Sequence, residues 1–416
     1  MKQTLWTRDF TLLTVATVLG AAGGVASSFA LSFLVFDETG STLASALLLA
    51  AQIIPNFVLP LVASPWMDRL PRKPFLVAGD AVNGLLYGLM GIWLLFRPFS
   101  YTGYLAFSLV LAALSSFDSL AYNAIYPNLI PRGCEQKGYT VGAMVYPTVT
   151  IVMTPLAAIL YDRLGVAVIL LIQCGLSLLA AAVESRVRVQ EHRRLEGRGF
   201  SLRLWAGDLR DALSYLRREK GLGAVYSYMA VTNGVATAYS PILVAFFRST
   251  PGFTMAMYSF FSVVEFAGRT LGGALHYKVA VPPKRRFGFA FLVYQLYELM
   301  DMVLLWVPYP LMLVCRCACG FLGINSATLR EEAVQGYIPD ELRAKLNAFF
   351  SMLISGASAV FTLAVGALGE VLDLRLCVTL CGAVACLVCW LTVWRRRAQV
   401  REIYNRAAPA EGSAST

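Results

Sequence analysis

Apolar residues run through this chain in twelve long stretches, at residues 10 to 36, 41 to 65, 75 to 96, 101 to 125, 140 to 160, 164 to 184, 222 to 247, 254 to 277, 287 to 307, 309 to 329, 346 to 369 and 374 to 394. A helix of about 20 residues crosses a hydrocarbon core of about 30 Å, and each stretch reaches that length. Backbone groups inside lipid find no water, so each stretch must close its own hydrogen bonds as a helix. The pattern predicts an all-α membrane protein with twelve transmembrane helices, segments 1 to 12. The polar joints carry a second pattern. Nearly all of the 35 Lys and Arg lie at the chain ends and in even-numbered joints. Arg97, Arg163, Arg248 and Arg375 lie in or beside odd-numbered joints, and Arg269 and Arg316 lie within segments. This bias predicts a multi-pass topology with both termini cytoplasmic.

Composition agrees with a lipid-embedded chain: 57% of residues are hydrophobic, 14% are charged, and the mean hydropathy is +0.62. The formal charge of +10 is spread over membrane-proximal joints rather than gathered on one face. It reads as a topology signal, and no nucleic acid partner is expected. The first apolar stretch lacks a small-residue cleavage site and is expected to remain as segment 1. Eight of the nine cysteines lie in segments and Cys134 lies in a joint, a distribution that predicts free thiols. The spacing of Cys315, Cys317 and Cys319 spreads their side chains around a helix, so no metal site is expected. The chain has only His192 and His276, no HExxH pair, no phosphate-binding glycine loop and no nucleophile motif. An enzyme and a bound cofactor are therefore not expected.

The chain divides into an N-terminal six-helix bundle at 1–184, a cytoplasmic connector at 185–221, a C-terminal six-helix bundle at 222–394 and a cytoplasmic tail at 395–416. In the connector, Leu202, Trp205, Leu209, Ala212, Leu213 and Leu216 recur at helical spacing, with Arg203, Arg210, Asp211, Arg217 and Arg218 on other faces. This predicts a surface helix resting on the inner membrane face or on the bundle, with the lipid bilayer as a partner. Leu129-Ile130-Pro131 after segment 4 recurs as Tyr337-Ile338-Pro339 after segment 10, half the chain later. Such an echo predicts two pseudo-symmetric bundles with a substrate site between them near the bilayer midplane.

The joint between segments 2 and 3 reads Ser64-Pro65-Trp66-Met67-Asp68-Arg69-Leu70-Pro71-Arg72-Lys73. It resembles the G-x-L-x-D-R-x-G-R-K signature of the major facilitator superfamily, with Ser64 and Pro71 in place of the two glycines. Pro127-Asn128-Leu129-Ile130-Pro131 and Ile338-Pro339-Asp340-Glu341-Leu342-Arg343 resemble loops of the branch that holds enterobactin exporters and macrolide-efflux permeases. The resemblance implies a monomeric carrier of the bacterial cytoplasmic membrane that exports amphiphilic small molecules, drug-like or siderophore-like, by alternating access driven by a proton gradient. A lysophospholipid transporter and a transporter-like receptor without turnover are the alternatives. The same resemblance implies a cytoplasmic latch at Asp68, Arg69, Arg72 and Lys73, and places Arg316 on a cavity-lining helix. Thr154-Pro155-Leu156-Ala157-Ala158 resembles an antiporter pattern, with Pro155 bending the helix at a gate. Segment 4 lacks the arginine carried there by many proton-coupled drug antiporters.

Charges inside the segments are the candidate chemistry, since an ionised side chain at the bilayer centre costs roughly 2.5–3.5 kcal/mol on insertion scales. Glu265 lies about 16 Å from the outer end of segment 8, and Arg269 follows at i+4 on the same face. The spacing predicts a charge pair opening onto the central cavity, open between structural and proton-coupling roles. Glu298 and Asp301 share a face of segment 9 and are expected to pair with Arg269 or Arg316. Asp118, in segment 4 without an obvious cation beside it, is a proton-acceptor candidate, and Asp80 is read as a structural partner of the loop cations. Gly20, Gly23 and Gly24 are expected to admit a closely packed neighbour. Tyr122, Tyr226, Tyr228 and Tyr239 are candidates for contact with a lipophilic cation or for membrane-interface anchoring.

The charge bias yields the first test. A reporter fused at Arg198 is expected to read as cytoplasmic, and an external reading there would invert the topology.

Overall fold

The apolar stretches close their backbone hydrogen bonds as helices in the computed structural model, which describes residues 4–67, 72–131, 134–188, 202–278 and 281–405. The helices are α1 Arg8–Thr39, α2 Thr42–Met67, α3 Arg72–Phe96, α4 Tyr101–Leu129, α5 Glu135–Glu184, α6 Leu202–Arg218, α7 Lys220–Ser249, α8 Met255–Lys278, α9 Arg286–Val303, α10 Tyr309–Tyr337, α11 Asp340–Leu368, α12 Leu374–Cys389 and α13 Arg397–Asn405. No strand occurs among the described residues. Segments 1 to 4 correspond to α1–α4, segments 5 and 6 both fall in α5, and segments 7 to 12 correspond to α7–α12. Among the described residues, nine helices are long and apolar enough to cross a membrane.

Local chemistry sets the helix ends. Thr7 accepts a hydrogen bond from the Phe10 N–H at the start of α1, and Gly40 ends it in the left-handed region at φ 62°. Within α5 the backbone leaves helical dihedrals at Gly165, at φ 75° and ψ 169°. Pro155 lies within the helix, and the break falls ten residues on, between segments 5 and 6, where only glycine takes that backbone without strain. The repeated tripeptides play one role twice. Ile130 and Ile338 each take extended backbone directly before a proline and end α4 and α10.

The described residues form two compact units. The first comprises Met1–Ser201 and Leu243–Ser262. Its larger core gathers Phe29, Phe33, Leu48, Tyr104, Ala157, Ala158 and Leu170 with Val244 and Met255. The rings of Phe33, Phe247, Phe261 and Tyr258 meet edge-on or tilted at 5.1–6.5 Å. Lipid is as apolar as these side chains, so their close packing, rather than escape from water, holds the helices together. Of the three glycines in α1, only Gly23 is tightly faced: a β-carbon there would strike the Gln173 side chain, while Gly20 and Gly24 have open space. Between the ends of α1 and α7 and the middle of α5, Asp37 Oδ1 accepts from the Arg248 Nε at 2.6 Å, while its Oδ2 accepts from the Tyr161 hydroxyl at 2.6 Å and is also bound by Arg248 Nη2. The Arg248 guanidinium lies 5.8 Å from the centre of the Tyr161 ring.

The second unit comprises Leu202–Ile242 and Val263–Thr416. Its core joins α6, α7, α9, α10, α11, α12 and α13 through Leu216, Leu222, Tyr226, Tyr228, Phe287, Tyr294, Val334, Leu346, Cys389 and Tyr404. The amphipathic helix predicted in the connector is α6, and it buries Ala212 and Leu216 in this core. Lys345 of α11 lies 3.4 Å from Asp211 on the exposed side of α6. The stretch read from sequence as a tail begins with the helix α13, which buries Val400, Ile403 and Tyr404.

The Asp37–Arg248 contact is bidentate but about a third exposed, which limits its strength. In a double-mutant cycle of Asp37→Asn and Arg248→Gln, thermal unfolding is expected to give a coupling of about 1 kcal/mol. Additive losses would mean that the pair contributes nothing beyond its separate residues.

Candidate functional site

Two helices approach at backbone distance to build the charged centre of the second unit. A β-carbon on Gly320 of α10 would strike the Glu265 carbonyl of α8, and one on Gly268 would strike the Cys317 carbonyl. Gly272 repeats the fit one turn along α8, where a β-carbon would stand 2.5 Å from the Phe321 carbonyl. Small residues at this spacing allow the crossing. It brings Arg316, one turn before Gly320, against Glu265.

Arg316 Nη2 donates to Glu265 Oε2 at 2.9 Å. Arg269 donates to the other oxygen, Oε1, from Nη2 at 2.9 Å and from Nε at 3.2 Å. Glu265 is thus held by two guanidiniums, one from its own helix and one from α10. Arg316 Nη1 also lies 3.6 Å from Asp301 Oδ1 of α9, an ion pair too long for a hydrogen bond. Arg316 is 15% exposed and Arg269 55%, so the first is the internal cation and the second the peripheral one.

Glu298 departs from its expected arginine pairing. It is 1% exposed, and its Oε1 accepts from the Thr232 hydroxyl at 2.7 Å and the Tyr228 hydroxyl at 3.2 Å. Thr232 and Tyr228 sit at i and i−4 on α7, so one face of that helix supplies both donors. Among the described residues no salt bridge to Glu298 is present. Asp301, also 1% exposed, lies one turn further along α9.

The other candidates lie in the first unit. Asp118 Oδ1 is buried with no hydrogen-bond partner among the described residues, and it would stand 3.2 Å from a β-carbon on Gly79. Asp80 of α3 and Glu184 at the end of α5 interact electrostatically with it. Asp118 therefore has carboxyls for company: Asp80, which the sequence assigned to the loop cations, and Glu184. Lys73 donates to the Ser185 carbonyl at 2.8 Å, tying the start of α3 to the end of α5. Of the remaining latch residues, Asp68 and Arg69 lie outside the described residues, as does the side chain of Arg72. Pro155 lies within α5 beside Ala157 and Ala158, which are fully buried.

The aromatic candidates are packed. Tyr226 and Tyr228 are buried in the second unit, with ring centres 4.4 Å from Phe350 and 4.8 Å from Tyr294. Tyr122 stacks on Tyr126 at 5.3 Å, and Tyr239 is buried with its hydroxyl unpartnered among the described residues. Sequence reasoning missed Thr232 and Glu184. Thr232 lies on the Tyr228 face of segment 7 and was legible only as a polar residue at i+4. Glu184 is the last residue of segment 6.

A family model described as the Major Facilitator Superfamily matches residues 12–300. No curated protein matches the chain. Among solved structures, a variant of the nucleoside transporter NupG is similar with a TM-score of 0.71 at 10% identity, covering 93% of this chain and 99% of that one. A POT family transporter in complex with a thioalcohol-conjugated peptide gives 0.71 at 11% identity, covering 94% and 96%. A bacterial homologue of the human lysosomal transporter Spinster, inward-facing and unoccupied, gives 0.67 at 12% identity, covering 96% and 98%. At these identities the likeness is one of fold.

The close crossing of α8 and α10 is directly testable. Gly320→Ala is expected to lower the thermal unfolding midpoint by several degrees, reflecting overpacking of about 1–3 kcal/mol. Gly323→Ala meets only an ordinary 3.7 Å contact with Tyr297 and is expected to leave the midpoint nearly unchanged. Equal effects would remove the crossing as the reason for the glycine.

Proposed function

We propose, for a chain that belongs to the major facilitator superfamily, secondary-active export of amphiphilic small molecules by alternating access, with proton exchange at Glu298. The supporting observation is the pairing pattern of the membrane carboxyls. Glu265 is shared by Arg269 and Arg316, whereas buried Glu298 is met by two hydroxyls. A carboxyl clamped by cations is a poor proton carrier; one met by neutral donors can be carried in either form. This division gives Glu265 the task of holding Arg316 and Glu298 the task of loading and releasing the proton.

The cargo class rests on the loop resemblance to enterobactin exporters and macrolide-efflux permeases. The proposed setting is a bacterial cytoplasmic membrane with both termini inside, as the basic joints suggest. The latch assigned to Asp68, Arg69, Arg72 and Lys73 and the gate assigned to Pro155 belong to the same proposal. Asp118, clustered with Asp80 and Glu184, is a second place where a proton can be held.

Proteoliposomes offered macrolides, catecholates, lipophilic cations and lysophospholipids provide the test, with and without a pH gradient. Glu298→Gln is expected to lose at least tenfold in gradient-driven accumulation while keeping equilibrium exchange, because the amide keeps the shape but cannot cycle a proton. Glu265→Gln is expected to lower thermal stability as well as both fluxes, since it leaves buried Arg316 with one partner fewer. Full gradient-driven accumulation by Glu298→Gln would overturn the proton assignment. Saturable binding without flux would favour a receptor, and uptake restricted to lysophospholipid would replace the cargo class.

A further inference from the structure

The last helix of the second unit does not merely trail from the bundle; it builds a rigid basic surface. After α12, residues Trp390–Trp394 make a π-helical turn in which the Arg395 N–H reaches the Trp390 carbonyl at 3.0 Å. The added residue turns the following side chains by about 100° relative to an uninterrupted α-helix. α13 is then fixed at several points. Val400, Ile403 and Tyr404 are buried, and the Tyr404 hydroxyl meets that of Tyr294 at 2.7 Å. Asn405 clasps the start of α9: its Oδ1 accepts from the Phe287 N–H at 3.1 Å, and its Nδ2 donates to the Lys284 carbonyl at 3.2 Å. Arg396 donates to the Lys220 carbonyl at 3.3 Å.

With the apolar side of α13 turned inward, Arg395, Arg396, Arg397 and Arg401 are exposed, as are Lys284 and Arg285 beside the clasp. The Arg397 guanidinium sits 5.2 Å from the centre of the Trp394 ring, and Trp394 packs on Phe291 at 4.8 Å and on Trp390 at 5.2 Å. The adjoining faces of α9 and α12 expose Leu292, Leu387, Trp390 and Leu391. Basic groups, aromatic rings and exposed aliphatic side chains thus follow one another in the order of a headgroup, an interface and an acyl chain.

We infer that this surface binds anionic phospholipid of the inner leaflet, with the phosphate held by Arg397 and Arg401, one turn apart on α13, and the acyl chains lying along α9 and α12. Topology alone requires positive charge near a membrane end, but it does not require that charge to be locked by a capped, docked helix. The clasp fixes α13 and the Trp394 contact orients the Arg397 guanidinium before any lipid arrives, which lowers the ordering cost of binding. The lipid proposal does not depend on cargo or proton coupling.

The full-length protein can be tested in nanodiscs of phosphatidylcholine with and without added phosphatidylglycerol. Phosphatidylglycerol is expected to raise the thermal unfolding midpoint by several degrees, with the shift shrinking in high salt. Combined Arg395→Gln, Arg397→Gln and Arg401→Gln is expected to keep the midpoint in phosphatidylcholine and to lose at least half of that shift. Should the triple variant fail to insert, Lys284→Gln with Arg285→Gln tests the other side of the surface in the same way. Native mass spectrometry is expected to retain phosphatidylglycerol on the wild-type monomer. An undiminished shift in the variants, no shift in the wild type, an equal effect of inorganic phosphate, or a lipid-free dimer closed over this surface would each overturn the inference.

Discussion

A guanidinium inside a hydrocarbon-spanning helix is the constraint around which the second unit is arranged. Arg316 cannot be carried there without anions close by, and the chain supplies Glu265 from α8 and Asp301 from α9. That requirement reaches into the backbone. Glu265 meets Arg316 because α8 and α10 touch main chain to main chain, which Gly268, Gly272 and Gly320 permit. Removing either carboxylate would leave the arginine under-compensated, a larger penalty than the loss of the same contact at a surface. Glu298 lies one turn from Asp301 on α9 yet is solvated by α7 hydroxyls, so adjacent carboxyls on one helix have different neighbours and can do different work.

Much of the architecture was legible because it follows from solvent. Lipid forces apolar stretches into helices, so each predicted segment is mainly helical, and the repeated Ile-Pro steps mark helix ends. The i,i+4 pair Glu265 and Arg269 was legible from one-dimensional spacing. Contacts between helices were legible only in part: an arginine partner for Asp301 was expected and is Arg316, but the hydroxyl partners of Glu298 were not. Nothing in the spacing of α9 says that Asp301 turns to Arg316 while Glu298 turns to Thr232 and Tyr228, because that choice depends on the positions of α7 and α10. The asymmetry among Gly20, Gly23 and Gly24 was equally hidden: only the facing helix, through Gln173, distinguishes them. The tail at 395–416 was read from its charge, yet Val400, Ile403 and Tyr404 carry the i, i+3, i+4 spacing of a docked helix, a signal masked by the surrounding arginines.

Tyrosine packing illustrates the same limit. An aromatic side chain in a membrane helix can meet lipid, a ligand or another ring, and all three preferences look alike in sequence. Tyr226 and Tyr228 bury their rings against Phe350 and Tyr294, and the Tyr228 hydroxyl reaches Glu298. Tyr228 therefore helps set the surroundings of a carboxyl from within a packed core, while Tyr226 serves that packing alone.

The makeup of the first unit has a consequence for biosynthesis. Its larger core contains Val244 and Met255, which leave the ribosome only after all of α1–α6 and most of α7. The first six membrane segments must therefore wait in the bilayer with an incomplete core while the chain that fills it is still being made. During that interval Phe29 and Phe33 lack the Tyr258 ring, which lies 6.1 and 5.5 Å from theirs in the finished protein. Order of synthesis and order of packing are thus out of step in this chain, and maturation of its first half is a late event in its assembly.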